Sequence, residues 1–315
     1  MSSFSIGNLT FDSNLIQGPL AGFSCAPFRQ LFYQFTPPAY CVSEMISASD
    51  IIHKHKASSR YLVRGDNEKT LCYQISGNNP ATLAIAAQIL QDHGADLIDL
   101  NCGCPKTKIR KKHAGSALLE NLDHLSEIIT TIKQSITIPL TVKIRVDGNS
   151  GRNQNRQTAL AIEQAGADAL TVHGRHWSED YDVPCNYQQI KLIKQQVSIP
   201  VIANGDIKDD ESLRLAKERT DCDAFMIARG GTGKPWLYQE LTQGKMDIPL
   251  SLKLDIFMQH IEELAVLENE FKALLQSRRL LKYYLGEKLS QQQITSLYEC
   301  QTILQLQKDL KTLLF

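Results

Sequence analysis

No stretch of this 315-residue chain approaches the ~18 consecutive apolar residues that span a bilayer. Its start, MSSFSIGNLTFDSN, has neither the basic n-region nor the apolar h-region of a secretory signal. A cytoplasmic protein without a membrane partner is expected. Excess charge is also missing, since 34 Lys and Arg balance 34 Asp and Glu. That removes any global pull toward a polyanion but leaves room for a local basic face. Cysteine is not scarce, at eight residues, but paired spacing is. Cys25, Cys41, Cys72, Cys102, Cys104, Cys185, Cys222 and Cys300 are scattered, several within apolar runs. They read as reduced core thiols, not a disulfide framework. Cys102 and Cys104 have no second Cys/His pair to complete the about four N/S ligands of a zinc site, so no metal is expected.

What is present is a repeating alternation. The apolar runs are LIQGPLAG (15–22), AYCVSEMI (39–46), TLCYQISG (70–77), LIDLNCGC (97–104), LTVKIRV (140–146), ALTVHGR (169–175), PVIANGDI (200–207) and AFMIARGG (224–231). They are short, β-branched and bounded by Gly, Pro or Asn, as buried parallel strands are. Segments of helical spacing such as ATLAIAAQILQDHGA and ESLRLAKERTD separate them. Eight such units over residues 1–240 predict an α/β fold, a (β/α)8 TIM barrel, with an open six-strand sheet as the alternative. Strand signals then stop. LDIFMQHIEELAVL, KALLQSRRLLKYYLG and QTILQLQKDLKTLLF predict an all-α domain over 241–315. The barrel is complete before Lys245, so a chain ending there is expected to fold.

Strand side chains alternate in direction. In LTVKIRV the face Val142, Ile144 and Val146 belongs against the helices, which turns Thr141, Lys143 and Arg145 into the barrel. By the same rule Gln74, Asn101, His173, Arg175 and Asn204 point inward. All lie near strand C-termini, where barrel active sites are built. Any one of these is an ordinary core polar residue; their convergence predicts a site, and a buried Lys143 calls for an electron-rich partner. The loops after strands seven and eight carry Asn204-Gly205-Asp206 and Ala228-Arg229-Gly230-Gly231. Bare backbone N–H groups and an arginine at that place favour phosphate. GTGK is a poor triphosphate loop, with Ala228 at the first glycine and Pro235 after the lysine. A phosphorylated ring system is expected, and flavin mononucleotide (FMN) suits Lys143, Gln74 and Asn204 around a polar edge.

In DLNCGCPKTKIRKKHAGSALL (99–119), Cys102 continues the alternation of Ile98 and Leu100 and is expected to face the helices. Cys104 falls just past the strand, at the barrel mouth, with Pro105 stiffening the turn. It is the candidate reactive thiol.

These residues resemble the tRNA-dihydrouridine synthase family. The resemblance rests on Asn101-x-Gly103-Cys104-Pro105, Lys108, AGSALL (114–119), VKIR (142–145), VHGR (172–175), IANGD (202–206), QISG (74–77) and GPLAGF (18–23), in that family's order and spacing. It implies reduction of the uracil C5–C6 double bond in tRNA, using FMN recharged by NADPH, with Cys104 as proton donor. A thiol of ordinary pKa ~8.5 is mostly protonated at neutral pH and suits that role. The resemblance assigns flavin contacts to Pro19, Leu20, Ala21, Gln74, Lys143, His173, Asn204, Gly205, Asp206, Ala228 and Arg229, and a uracil contact to Asn101. Leu20 stands where the family usually has Met, Ala228 where it has Gly, and His176 where Thr is commoner. Lys106, Lys108 and Arg110 on the run beyond Cys104, together with Arg145, are expected to meet tRNA. Arg278 and Arg279, beside Tyr283 and Tyr284, are expected to give a second contact with stacking. The chain is expected to work as a monomer. The alternatives are an FMN-dependent barrel reductase of a free pyrimidine or small enone, and a non-catalytic RNA-binding barrel.

Overall fold

A computed structural model describes residues 2–148 and 152–315. A short hairpin comes first, β1 (Phe4–Ile6) paired antiparallel with β2 (Leu9–Phe11). Parallel strands follow: β3 (Leu15–Gln17), β4 (Cys41–Val42), β5 (Ile46–Ser47), β6 (Leu71–Ser76), β7 (Leu97–Cys102), β8 (Leu140–Arg145), β9 (Ala169–His173), β10 (Val201–Asn204) and β11 (Ala224–Ile227). Because β4 pairs with β6 as well as with β3, and β3 with β11, the sheet closes on itself. The open-sheet alternative therefore falls, and all eight apolar runs hold a barrel strand.

One run departs from expectation. AYCVSEMI is broken into β4 and β5, both alongside β6. The interruption comes at Ser43 and Glu44, whose buried side chains have polar commitments of their own. Glu44 accepts the backbone N–H of Gly22 at 2.8 Å and a guanidinium N–H of Arg60 at 2.6 Å.

The barrel interior is graded. At its N-terminal end Ile16, Val42, Cys72, Leu97, Ala169, Ile202 and Ala224 form an apolar layer sealed by Phe4, Ile6 and Phe11 of the hairpin. Further along the strands the inward positions turn polar: Gln74, Asp99 and Thr141 lie side by side in register, then Asn101, Lys143 and Thr171, then His173 beside Asn204. The outward residues Ile98, Leu100, Cys102, Val142, Ile144, Leu170 and Val172 pack under the surrounding helices. Those helices begin where polar side chains take up orphan N–H groups: Asn79 caps Pro80–Asp92, and Asp209 forms a capping box for Asp210–Thr220. The closed bottom leaves chemistry to the C-terminal face.

Beyond the barrel lie helices Leu250–Leu267, Glu270–Leu285, Gln291–Leu297 and Ile303–Leu314. Their core includes Phe257, Ile261, Leu281, Leu285 and Leu310, joined by Cys25, Leu31 and Trp236 from the barrel side. The helix Leu237–Gln243 runs across the 240/241 boundary read from the sequence. Arg60 also links the two parts, pairing with Glu44 on one side and with Glu268 and Gln276 on the other. No helix among the described residues is long and apolar enough to cross a membrane.

Candidate active site

A cleft of about 690 Å³ opens at the C-terminal mouth of the barrel. At its floor, Lys143 donates to Asn204 Oδ1 at 2.9 Å, and Asn204 Nδ2 donates to the Met226 carbonyl at 2.9 Å. Burial pulls the Lys143 ammonium below its ordinary value, while the Asp99 carboxylate pulls it back up. Burial pushes Asp99 the other way, above the usual carboxylate range, against hydrogen bonds from Thr141 and Gln74. Among the described residues Lys143 makes one hydrogen bond, which leaves two of its three donors for a ligand. His173 is held well below its ordinary pKa by burial, and then by Lys143, Arg145, Arg175 and Arg229. It is therefore neutral, with Nε2 accepting from Arg175 at 3.3 Å.

Asp99 fixes the direction of a buried amide chain. Its Oδ2 accepts Gln74 Nε2 at 2.8 Å, so Gln74 Oε1 must face Asn101, accepting Nδ2 at 2.8 Å. That leaves Asn101 Oδ1 for the backbone N–H groups of Gly103 (3.2 Å) and Cys104 (2.9 Å). Arg145 holds the same loop from the other side, donating to the carbonyls of Gly103 (3.0 Å) and His176 (2.9 Å). Ser116 ties it down by donating to the Cys104 carbonyl at 3.0 Å. Gly115 (φ +63°) has no room for a Cβ, which would lie 2.8 Å from that carbonyl. Cys104 is partly exposed in the cleft, whereas Cys102 is fully buried on the opposite face.

The opposite wall is built from three loops. Arg175, 1% exposed, forks onto both Asp206 oxygens at 2.7 and 2.8 Å and also holds the carbonyls of Tyr181 and Val183. Asp206 (φ +55°) accepts the Cys185 N–H as well. The Tyr181 ring lies over the Arg229 guanidinium at 3.7 Å. Pro19, Leu20 and Ala21, after β3, complete this side with Gly205 and Ala228.

Most of the site residues expected from sequence thus line one cleft, including Lys106 at its rim. The basic residues spread outward from it. Lys106, Lys108, Lys111 and Lys112 are exposed, but Arg110 is engaged, bonding Ser116 and Glu120 and stacking on Trp177 at 3.7 Å. On helix Glu270–Leu285, Arg278 turns to the Tyr298 carbonyl, whereas Arg279 lies against Gly22 at the barrel mouth. Tyr283 is exposed and meets Phe23 edge-on. The expectation that Tyr284 is free to stack is corrected: it is buried in the helical core, hydrogen-bonded to His260. Asp99 and Tyr181 were not singled out from sequence. Asp99 carried a signal, an acid on the inward face two residues before Asn101; Tyr181 carried none, lying in an irregular loop.

The profile of the family "Dihydrouridine synthase (Dus)" matches residues 16–312. The tRNA-dihydrouridine synthase B of Vibrio cholerae serotype O1 is 36% identical over 288 residues, 90% of this chain and 89% of that one. That of Proteus vulgaris is 35% identical over 288 residues, with 90% and 89% covered. Among solved structures, the old yellow enzyme homologue of Zymomonas mobilis shares the fold, with a TM-score of 0.56 at 13% identity over 78% of this chain and 93% of that one. The motif-bearing barrel and the helical appendage both fall inside these matches, and the chain belongs to the dihydrouridine synthase family.

Proposed function

We propose that this chain is a tRNA-dihydrouridine synthase that uses FMN, takes its electrons from NADPH and protonates the uracil from Cys104. The observation that carries the reading is Cys104, held by Asn101 and Arg145 in the same cleft as an arginine-bearing glycine loop and a half-buried lysine. The cleft suits the cofactor: its volume is that of a small-molecule site, and Lys143 and Arg229 both keep donors unspent.

FMN supplies hydride chemistry when bound. Gln74, Lys143 and Asn204 would hold its polar edge, with Pro19, Leu20, Ala21 and His173 around it. The backbone of Gly205 and Asp206, with Ala228 and Arg229, would hold its phosphate. The Lys143 ammonium stabilises negative charge placed on that edge. Neutral His173 adds a hydrogen-bonding group there without a further cation. Reduction of C5–C6 adds a hydride to one carbon and a proton to the other. Cys104 gives up its Sγ proton as general acid, and a solvent proton restores the thiol. Asn101 and Arg145 orient the donor and would touch the uracil. Lys106, Lys108, Arg279 and Tyr283 would meet the tRNA, with Arg110 and Arg278 supporting that surface. The barrel, 1–240, is proposed as the catalytic part and 241–315 as the tRNA-binding part. The chain is proposed to work as a monomer.

The test is the visible spectrum of the purified protein, followed by NADPH oxidation with unmodified tRNA or with free uridine. A flavin spectrum and turnover on tRNA alone are expected. A colourless protein that refuses added FMN would sink the reading, and equal turnover on free uridine would turn it to a small-pyrimidine reductase.

A further inference from the structure

Two arginines of this chain stack on aromatic rings at the same 3.7 Å, Arg110 on Trp177 and Arg229 on Tyr181. A guanidinium offers two separate resources, a flat face for an aromatic ring and an edge of N–H donors for an anion or carbonyl. Arg110 uses both, its edge donating to Ser116 at 2.9 Å and to the Glu120 carboxylate at 2.5 Å. Arg229 uses its face alone. Among the described residues its guanidinium has no hydrogen-bond or ion-pair partner. The stacking matches that of Arg110, and the N–H edge of Arg229 is free to bind an anion.

Tyr181 is not a passing surface ring. Its carbonyl accepts from Arg175 at 3.2 Å, and Arg175 is itself forked onto Asp206 in the neighbouring loop. The ring is also stacked roughly parallel to His173, at 6.3 Å and 25°. The loops after β9, β10 and β11 are thus joined through Arg175, Tyr181 and Arg229. Tyr181 remains 56% exposed, so burial does not explain the placement.

We propose that Tyr181 is a cofactor-positioning residue: its ring holds the Arg229 guanidinium by the face so that the whole N–H edge is presented to the phosphate of FMN. This rests on the functional reading above. Stacking removes rotamers that an exposed arginine otherwise samples, so less freedom is lost when the phosphate is bound.

The experiment uses holoenzyme and reads cofactor release. Wild type, Tyr181→Phe and Tyr181→Ala are diluted and the fluorescence of freed flavin is followed, in parallel with riboflavin-loaded protein, which lacks the phosphate. Tyr181→Ala is expected to weaken FMN retention about 3- to 10-fold, the size of a partly exposed cation–π contact. Tyr181→Phe, which keeps the ring, is expected to stay within about 2-fold of wild type. Riboflavin retention is expected to be the same in all three. Unchanged FMN retention in Tyr181→Ala overturns the inference, as does equal weakening of riboflavin, which would mean general packing. Weakening in Tyr181→Phe equal to that in Tyr181→Ala also overturns it, since the hydroxyl and not the ring would then matter. Wild type that holds no flavin at all would instead overturn the functional reading beneath it.

Discussion

Asn101 Oδ1 accepts the backbone N–H of Cys104 at 2.9 Å, and Asn101 cannot turn its amide without breaking a second bond to Gln74. The position of the thiol is therefore set by a buried carboxylate three hydrogen bonds away, because Asp99 decides which end of Gln74 faces Asn101. Asn101→Ala frees the Cys104 turn and is expected to lower uridine reduction about 10²-fold, the scale of a misplaced catalytic group. Reduction of bound flavin by NADPH should persist. Rapid-mixing measurement of the two half-reactions checks this, and parallel loss of both would contradict it.

The two neighbouring cysteines should separate cleanly. Cys104→Ala is expected to retain flavin and accept electrons from NADPH while losing ~10²–10⁴-fold in uridine reduction, the usual worth of a general acid. Cys102→Ala removes a sulfur packed against the outer helices and should cost stability, about 1 kcal/mol, with turnover intact. Equal loss of turnover from both would revive a redox pair.

Lys143 gives an alkaline limit. Burial lowers its pKa, so the charge disappears at a pH below that of an ordinary lysine, and flavin reduction should decline as pH rises through that range. Asp99 opposes the shift, so Asp99→Asn is expected to move the decline to lower pH. Lys143→Ala should weaken flavin retention outright, and Lys253→Ala, over the Trp236 ring, should not. A pH–rate profile whose alkaline limb ignores Asp99→Asn would count against this account.

Two buried histidines give an acid limit of stability. Burial holds His173 low, and burial, then Arg60, brings His260 down to about 3. Below the unfolded value of ~6.5 the unfolded chain binds more protons than the folded one, so stability falls as pH falls. Each histidine contributes up to ~1.4 kcal/mol per pH unit there. Melting temperatures across that range should fall less steeply in His260→Gln than in wild type.

The basic surface predicts a salt signature. Lys108→Ala and Arg279→Ala, whose side chains are exposed, should each reduce the slope of log K for tRNA against log salt by ~0.7–0.9. Arg110→Ala should instead loosen the loop, since its guanidinium is committed to Ser116, Glu120 and Trp177. Truncation near Lys245 is a poorer test than the sequence implied. It would uncover Cys25, Leu31 and Trp236 and strip Arg60 of Glu268, so the shortened barrel is expected to melt earlier.

The sequence by itself determined the parts governed by period and punctuation. Two-residue alternation in LTVKIRV and ALTVHGR gave the inward faces of β8 and β9, and the break after Ile98–Leu100–Cys102 separated the packed cysteine from the loop cysteine. Strand–helix repetition gave the barrel, because each unit needs its neighbours to bury an apolar face. Tertiary structure alone decided what depends on contacts between distant residues. Only closure of the barrel brings Lys143 to Asn204 and Asp99 to Gln74, and only the folded loops set Tyr181 on Arg229. The split of the second strand at Glu44 and the burial of Tyr284 have the same origin. A single side chain there satisfies partners 16 to 24 residues away, and no local spacing records that demand.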